Sequence, residues 1–506
     1  MGVSSESPPR QRRKGFNHIR NVFRGVLKSW RGLSSGKRRL VSSIALAVAV
    51  HLLLESVSSA GWRRQAENAA IDWMMSASAH RISTSRPPDA KVAFTVLDID
   101  DESYTKWNEP LFTPRDKLLE LIKFAVLNGA RIVIVDVDLT NKTGPINDTA
   151  PDGRDASSDD MKLADFLKNP FLKITAIRPE RQKSAILLVR DFKVVSAPNS
   201  RACREPRHSF LEQNGFGLSS NVYFASVKFE QEEDQVIRQW RLWERICGTE
   251  KPDFVPSVEL LTVMLLNSSD KDPDPHSGFR DFAATIPAED QRTCQWPGED
   301  VRTWKAPGGI ELSSARSGIS ERIIYRIRWQ DGAGGRGWPL VRLPDGSEVP
   351  SVMRFSARTI TDPDAEHPSP PKEAVVNRVV MIGNSSVEGR DWHGTPLGAM
   401  PGELILVNSI DSLSRVGQLK LPSCITYYLS LLGTTALMVW TFSRLHQFWA
   451  MLVSGVAIIL ILLPISYIYF QRGYWSDYAI PLVAVLFHNM AEEFKEAAGH
   501  LHPDEE

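Results

Sequence analysis

Residues 91–139, KVAFTVLDIDDESYTKWNEPLFTPRDKLLELIKFAVLNGARIVIVDVDL, predict the fold of the largest part of this chain. The segment begins with the apolar run KVAFTVLDID and ends with a second one, RIVIVDVDL, and each run is typical of a buried strand. Between them, Leu118, Ile122 and Ala125 fall at helical spacing, and Gly129 marks where the helix should stop. A strand, a helix and a strand within about 50 residues predict a βαβ unit, in which the two strands are parallel neighbours.

The same α/β pattern continues towards the second half of the chain. The runs SAILLV and RVVMIG predict further strands, and VPSVELLTVMLLN predicts a helix. Two polar, turn-rich stretches, Asn267–Gly309 and Gln330–Lys372, are expected to be long loops or insertions. We therefore expect one α/β domain with insertions, spanning residues 61–420.

Four apolar segments flank this domain and are long enough to test as membrane spans. A span needs about 20 mostly apolar residues. The segments that we predict as transmembrane helices are residues 40–60, 421–442, 447–470 and 474–491. The last is the weakest, because Asp477 and His488 flank its apolar middle, and a helix lying on the membrane surface is its alternative.

Charge sets the predicted orientation of these spans. The chain of 506 residues has 60 basic and 60 acidic side chains, so its balance indicates no nucleic-acid partner. Residues 1–39, however, carry eleven Lys or Arg against the single acid Glu6. By the positive-inside rule this basic arm stays in the cytoplasm. Alternation then places residues 61–420 in the periplasm or outside the cell, and the tail, residues 492–506, in the cytoplasm. A cleaved signal peptide is the alternative, since Ser58 and Ala60 resemble a cleavage site.

Within the basic arm, residues 16–33 place apolar side chains on one face and basic side chains mostly on the other. Such a helix suits an anionic membrane surface, so membrane lipid is an expected partner. A solvated arm with a chance apolar stripe is the alternative.

Cysteines are few, and three of the four lie in the predicted exported domain: Cys203, Cys247 and Cys294. A disulfide can persist outside the cytoplasm. The spacing selects no particular pair, and no C-x-x-C metal pattern is present in the sequence.

Acidic side chains follow both strands of the predicted βαβ unit. They are Asp98, Asp100 and Asp101 after the first strand, and Asp136 and Asp138 after the second. Neighbouring parallel strands would bring them together at the carboxyl edge of the sheet, where open α/β sheets bind ligands. A carboxylate cluster there could hold a ligand or a hard cation such as Mg²⁺. The alternative is that these acids cap the following turns or helices, or pair with Arg115.

Residues 379–402, VVMIGNSSVEGRDWHGTPLGAMPG, contain serine, aspartate and histidine within a short distance. A nucleophile elbow has the pattern G-x-S-x-G, and no glycine follows Ser385 at the required place. A catalytic triad also needs residues that converge in space, and His393 is too close in sequence to Asp391 to be oriented by it in the way usual for a triad. We therefore predict no catalytic residues and no cofactor, and expect a coupling loop built from Gly383, Asp391, Thr395 and Pro396.

Several blocks, in order, resemble a known family. After the first apolar segment comes AAIDWMM with Asp72; VLDIDDESY, PLFTPRDKLLELI and GARIVIVDVDL follow. Next are EEDQVIRQWRL with Arg238, and PSVELLTVMLL. The closing block runs from Arg378 to Leu419 and contains Gly383, Asp391, Thr395, Pro396, Pro401 and Gly402. Together they resemble CHASE-2, the second type of extracellular sensory domain associated with cyclases and histidine kinases.

The resemblance covers residues 40–491 and includes the layout of one span before the domain and three after it. The chain departs from the family where Asp234-Gln235 replaces the usual Asp-Gly. The resemblance implies a receptor that senses a stimulus outside the cell and drives an output domain inside it. Residues 492–506 are too short for a kinase or cyclase, so we expect a sensor that signals in trans to a separate cytoplasmic protein.

The sequence leaves the ligand, the partner and the oligomeric state open. A structural subunit of a bacterial envelope complex, without a sensing role, is the first alternative function. An exported metal-dependent hydrolase that uses the aspartates is the second. Homo-oligomerisation is compatible with all three functions.

Overall fold

The computed structural model describes residues 61–82, 88–141, 156–169, 184–193, 204–213, 217–247, 253–267, 303–305, 311–313, 321–362, 368–420, 423–445 and 463–475, together with residues 449, 453, 456 and 460. The chain divides into two compact units, of which the larger comprises Ala69–Leu421 and Gln471–Trp475. This larger unit holds the α/β fold.

A six-stranded parallel sheet forms the centre of the α/β unit, in the order β15-β1-β16-β2-β3-β6. Its strands are β1 (Phe94–Asp98), β2 (Ile132–Val135), β3 (Ala185–Arg190), β6 (Val222–Ser226), β15 (Val352–Ser356) and β16 (Val379–Gly383). Every residue of β1, β2 and β16 is buried. Such continuous burial is expected of parallel strands that are covered on both faces, and it explains their unbroken apolar sequences.

Helices cover both faces of the sheet. On one face, α3 (Arg115–Leu127) and α4 (Ala156–Lys168) contact each other and close a core shared with alternate strand residues. This core includes Leu118, Ile122, Leu163, Val133, Val135, Ile186, Val380 and Ile382. On the other face, α6 (Val258–Asn267) and α8 (Gly402–Arg415) contact each other, and they also contact β3, β6 and β16. The expected α/β class is confirmed.

The other elements of the described residues are helices, 3-10 turns and two-stranded antiparallel pairs. The helices are α1 (Gly61–Ile82), α2 (Asp101–Lys106), α5 (Phe210–Gln213) and α7 (Arg358–Thr361), with 3-10 turns at Lys372–Ala374 and Val387–Gly389. Antiparallel pairs join β4 (Phe192–Lys193) to β5 (Glu205–Pro206), β7 (Phe229–Gln231) to β8 (Ile237–Trp240), β9 (Trp243–Ile246) to β10 (Asp253–Pro256), β11 (Thr303–Lys305) to β12 (Glu311–Ser313), β13 (Leu340–Arg342) to β14 (Glu348–Pro350), and β17 (Trp392–Thr395) to β18 (Gly398–Pro401).

The predicted βαβ unit forms, but its strands are not neighbours. β16 lies between β1 and β2 and pairs in parallel with both. The helix ends as expected, with Gly129 at a φ of 82°, in the left-handed region that favours glycine. The prediction of adjacent strands was wrong because local sequence carries no signal for a strand that arrives about 240 residues later.

The stretch Gln330–Lys372, predicted to be a long loop or an insertion, contains regular elements that the sequence did not indicate. It contains β13, β14 and α7, and β15 joins the central sheet beside β1. β15 is an edge strand in which Val352 is buried and the next four residues are only partly buried. An edge strand of this kind has no continuous apolar run, so its sequence, VMRFS, resembles that of a loop.

The predicted membrane segments are described only in part. Helix α9 (Cys424–Arg444) covers most of the second segment, and α10 (Leu463–Gln471) covers the end of the third. In the portion of the chain that the structure describes, no helix has both the length and the apolar character needed to cross a membrane. Residues 1–39, 40–60, 476–491 and 492–506 lie outside the described residues, as does most of 447–462.

Candidate functional site

The carboxyl ends of the three central strands, β1, β16 and β2, lie at the same edge of the sheet, and two of the candidate aspartates lie there. In the register of the sheet, Asp98 at the end of β1 stands opposite Gly383 at the end of β16. On the other side of β16, the backbone N–H of Asp136 donates to the carbonyl of Ile382 at 2.8 Å. Asp98 and Asp136 therefore flank Gly383, as expected for side chains that follow parallel strands.

Asp98 is fully buried and bonded on both oxygens. Arg354 of β15 donates from Nε to Asp98 Oδ2 at 2.6 Å. The backbone N–H of Ser385 donates to Oδ1 at 3.1 Å, and its hydroxyl donates to Oδ2 at 2.7 Å. Burial raises the pKa of Asp98, while Arg354 and Ser385 oppose that rise. This carboxyl therefore fixes the edge strand β15 and the loop after β16 to β1.

Glu403, in the first turn of α8, contributes a second fully buried carboxyl. Neither of its oxygens has a hydrogen-bond partner. Burial, followed by the charge of Asp98, raises its pKa well above the ordinary value. Its side chain lies against Gly383, where any Cβ would collide with it. The glycine is needed at the end of β16 because a buried acid occupies the space of a side chain.

Asp136 and Asp391 complete a group of four carboxyls, with Asp98 and Glu403, that we call the carboxyl cluster. Burial raises the pKa of Asp136 to about 8, the charge of Asp391 adds to that rise, and His393 opposes it. His393 Nε2 lies 2.9 Å from Asp391 Oδ1. This hydrogen bond raises the pKa of the imidazole. Asp391 and His393 are therefore paired although only one residue separates them in the sequence.

The two serines of this loop have structural bonds. The Ser385 hydroxyl donates to Asp98, and the Ser386 hydroxyl donates to Asn384 Oδ1 at 2.6 Å. Ser386 also caps the following 3-10 turn, where its Oγ accepts from the N–H of Gly389. These contacts give each hydroxyl a role in holding the loop.

Asp391 also joins the loop to the start of α8. The N–H of Gly402 donates to the Asp391 carbonyl at 2.8 Å, and a Cβ on Gly402 would collide with the Asp391 carboxylate. The carboxylate thus lies at the first residue of a 14-residue helix, where the helix dipole favours negative charge. Gly402 permits this approach for the same steric reason as Gly383.

An aromatic group borders the site on the side of β15. The Arg354 guanidinium lies 4.7 Å from the ring centre of Trp329, which packs edge-to-face on Trp392 at 5.3 Å and on Trp338 at 6.4 Å. The Trp392 indole N–H donates to the carbonyl of Ser385 at 2.8 Å. The rings thus screen the Asp98–Arg354 pair on one side and hold Trp392 beside the loop.

Asp100 and Asp138 cap residues that follow them closely in sequence, whereas Asp101 bonds to the loop after β16. Asp100 caps α2, accepting from the N–H and hydroxyl of Ser103. Asp101 accepts from the N–H of Val387 at 2.8 Å, and Asp138 accepts from the N–H of Thr140 at 2.8 Å. The contacts of Asp100 and Asp138 are those of the capping alternative, and Asp101 ties α2 to the loop after β16.

Arg115 lies apart from the carboxyl cluster. Its Nη2 donates to the backbone carbonyls of Asp138 and Asn141 at 3.3 Å and 3.0 Å, and its Nε lies 3.5 Å from Asp160. The side chain is buried, with its guanidinium 5.6 Å from the ring centre of Phe210. Arg115 therefore holds the chain after β2 onto α3 and α4.

Thr395 and Pro396 belong to a hairpin. The expected turn is the strand pair β17–β18, and the Thr395 hydroxyl donates to the carbonyl of Gly398 at 2.6 Å across its end. The Pro396 carbonyl accepts from the hydroxyl of Ser76 in α1 at 3.4 Å. The hairpin thus connects the loop of the site both to α8 and to α1.

A second charged centre joins α1 to the β7–β8 hairpin. Arg238 is buried and donates through Nε and Nη2 to Asp72 at 3.1 Å and 2.9 Å. It also donates through Nη1 to Glu232 and to Asp234, each at 2.9 Å. Burial lowers the pKa of Arg238, but the bonds to Asp234 and Asp72 outweigh it and raise the pKa overall. Asp72 and Arg238 lie in two different sequence blocks that carry the resemblance to the CHASE-2 family.

Sequence patterns missed part of the site. Glu403 and Arg354 had no signal beyond being single charges in otherwise apolar or loop-like stretches. Among the described residues, no group of three or more His, Cys, Asp or Glu side chains is arranged to hold a metal ion. Of the cysteines, Cys247 and Cys424 are disulfide-bonded.

Comparison with protein families gives one match. The family model for the CHASE2 domain matches residues 44–457, which is most of the chain. No curated protein and no solved structure matches the chain significantly.

Proposed function

Because the chain belongs to the CHASE2 domain family, we propose that it is a membrane-anchored sensor that signals in trans to a separate cytoplasmic protein. CHASE2 domains are extracellular sensory domains, so the family carries the sensing part of this proposal. The α/β unit is the sensing part, and the carboxyl edge of its sheet is the place where a stimulus acts. The proposal assigns no catalytic activity to the chain.

Disulfide bonds support a location of the α/β unit outside the cytoplasm. Cys247, beside β9, and Cys424, at the first residue of α9, are both disulfide-bonded. Such bonds persist in the periplasm or outside the cell and are rare in the reducing cytoplasm. Cys424 would then mark the outer end of the second apolar segment.

Apolar surface supports the anchoring part of the proposal. Helix α9 exposes Ile425, Leu429, Leu432 and Trp440, whose exposed fractions are 52%, 62%, 65% and 58%. Scattered exposed apolar residues are ordinary, but repeated large ones on one helix favour contact with lipid or protein. Arg444 at its last residue fits a cytoplasmic end under the positive-inside rule.

Topology can be tested with reporter fusions to the intact chain. A reporter that is active only outside the cytoplasm should be active when fused after residue 420 and inactive when fused after residue 445 or at the carboxyl terminus. Activity at all three positions, or at none, would contradict the proposed membrane topology.

The signalling part can be tested by partner capture. The basic arm and the tail are the proposed docking surfaces, because the arm is strongly basic and the end of the tail is acidic. Intact protein captured from membranes should bring down a cytoplasmic protein that is lost when residues 1–30 or 492–506 are deleted. An unchanged set of partners in both deletions would exclude these segments as docking surfaces. A fixed stoichiometric complex under every condition would instead indicate a structural subunit.

A further inference from the structure

The carboxyl cluster brings together acids from four separate parts of the chain. Asp98 ends β1, Asp136 follows β2, Asp391 lies in the loop after β16, and Glu403 lies in α8. Glu403 is influenced electrostatically by the other three, and Asp136 is influenced by Asp391. Negative charges near a buried acid disfavour its ionised form, so these neighbours favour a protonated Glu403.

Two basic side chains act on the cluster, and each is hydrogen-bonded to one of its acids. Arg354 is bonded to Asp98, and His393 is bonded to Asp391. Asp100 adds a further negative charge near Asp98. Glu403 is left with two buried oxygens that have no hydrogen-bond partner. A buried acid without a partner is stable only in its neutral form, which means that it holds a proton.

We propose that the carboxyl cluster is a proton-binding switch, in which Asp136 and Glu403 hold protons at neutral pH. In alkaline medium the loss of these protons releases the loop between β16 and β17, which carries Asp391, from the start of α8. The position of the groups supports the direction of this change. Asp136 follows β2 beside the end of β16, and the charge of Asp391 acts on it, so its ionisation adds a negative charge that repels Asp391. Asp391 is held against Gly402 at the first residue of α8, and moving it breaks the bond between the Gly402 N–H and the Asp391 carbonyl.

The pH range follows from the acids themselves. Burial and Asp391 raise the pKa of Asp136 to about 8. The pKa of Glu403 is raised well above its ordinary value, chiefly by burial and then by Asp98. The hydrogen bond to Asp391 raises the pKa of the His393 ring, and a protonated ring would offset part of the new charge. Release is therefore expected on the alkaline side of neutrality, in the range where Asp136 loses its proton.

This inference rests on the proposed function only in naming a stimulus for the sensor. The proton-binding step belongs to the α/β unit and needs no partner. Failure of partner capture would leave it standing, and failure of the experiment below would leave the sensor role standing with another stimulus.

The experiment is limited proteolysis of the full-length protein in detergent between pH 6 and pH 9. Subtilisin cleavage within residues 384–401 is mapped by mass spectrometry, and its rate is divided at each pH by that of a free peptide of the same sequence. In the wild type this normalised rate should rise about tenfold across the range, because cleavage of a transiently opened segment follows its open population. The midpoint should lie near the pKa of Asp136.

Two substitutions and one control isolate the cluster. Asp136→Asn and Glu403→Gln mimic the protonated acids, so each should keep the fold and reduce the rise to about twofold or less. Asp138→Asn lies two residues further along, and its amide oxygen can still accept from Thr140, so it should behave as the wild type does. A flat wild-type profile would overturn the switch without reference to any variant. A full rise in both Asp136→Asn and Glu403→Gln would also overturn it.

Discussion

Two glycines mark the positions where acidic side chains approach the backbone. Gly383 and Gly402 each lie against a carboxyl-bearing side chain, Glu403 and Asp391 respectively, at a distance that excludes a Cβ. Both glycines were noted in the sequence as matches to a family pattern, and the structure supplies the physical reason. Their role is to let two acids approach the backbone at the carboxyl edge of β16.

Gly383→Ala tests this close packing. The new methyl would overlap the Glu403 side chain in a filled interior, so we expect a loss of about 1–3 kcal/mol of unfolding free energy. Shortening the neighbour, in Gly383→Ala with Glu403→Ala, should recover part of that loss, which a double-mutant cycle from denaturant unfolding would measure. Gly217→Ala is the matched control, because its Cβ would meet open space. Additive effects of the two substitutions would show that Gly383 and Glu403 do not constrain each other.

Glu259 provides a pH test away from the carboxyl cluster. It lies in the first turn of α6, fully buried, and neither carboxyl oxygen has a hydrogen-bond partner. Burial raises its pKa to about 8. In the native protein it therefore holds a proton that the unfolded chain has already lost between its ordinary pKa of 4.5 and pH 8.

The sign of the effect follows from this proton. The stabilising contribution is complete below pH 4.5 and is lost as the pH rises through 8, by up to about 1.4 kcal/mol per pH unit. Glu259→Gln cannot lose a proton, so its unfolding free energy should decline less steeply over that range, as measured by urea unfolding at several pH values. Glu230→Gln, at an exposed position, should leave the wild-type slope unchanged. A slope that Glu259→Gln does not alter would mean that Glu259 is ionised in the native protein.

At the scale of elements, the sequence predicted those strands that a local apolar pattern specifies. The strands β1, β2, β3 and β16 were predictable because each is an apolar run bounded by turn residues. β15 was not, since partly buried residues with an arginine at the centre of VMRFS match no strand pattern. The insertion of β16 between β1 and β2 was not predictable either, because it depends on the packing of the whole sheet.

The candidate site divides in the same way. Asp98 and Asp136 were predictable at the sheet edge, because acids that follow parallel strands must meet there. Glu403 and Arg354 were not, because their significance depends on distant residues that approach them in the fold. Asp72 and Arg238, 166 positions apart, were both noticed in the sequence, but only the structure pairs them.

The Arg238 centre tests how α1 is held to the domain. Arg238→Met would leave three carboxylates, those of Asp72, Glu232 and Asp234, without their common cation. We expect a loss of about 3 kcal/mol or somewhat less, since Asp234 is half-exposed and can regain water. The unfolding free energy of Arg238→Lys should lie between those of the wild type and Arg238→Met, because an ammonium group cannot reproduce the forked contact with Asp72.

Hydrogen exchange of residues 61–82 would locate this effect. Protection of α1 should fall in Arg238→Met more than protection of the central strands does, since the arginine connects α1 to the β7–β8 hairpin. Arg342→Met removes a more exposed pair with Glu348 and should cost less than about 1 kcal/mol, with no change in α1. Equal loss of protection across the whole domain would assign Arg238 a general role in stability.

At the scale of the whole molecule, the disulfide bonds connect fold stability to the compartment in which the chain folds. A bond at Cys247 constrains the unfolded chain, so its loss typically costs about 2–5 kcal/mol. Full-length protein treated with a thiol reductant should therefore melt roughly 5 °C lower than untreated protein, as followed by near-ultraviolet circular dichroism. Cys247→Ser should melt lower without reductant, and reductant should then lower its melting temperature by less than it lowers that of the wild type. If reduction left the melting temperature of the wild type unchanged, the disulfides would not contribute to folding, and the argument from cysteine chemistry for a location outside the cytoplasm would lose its energetic support.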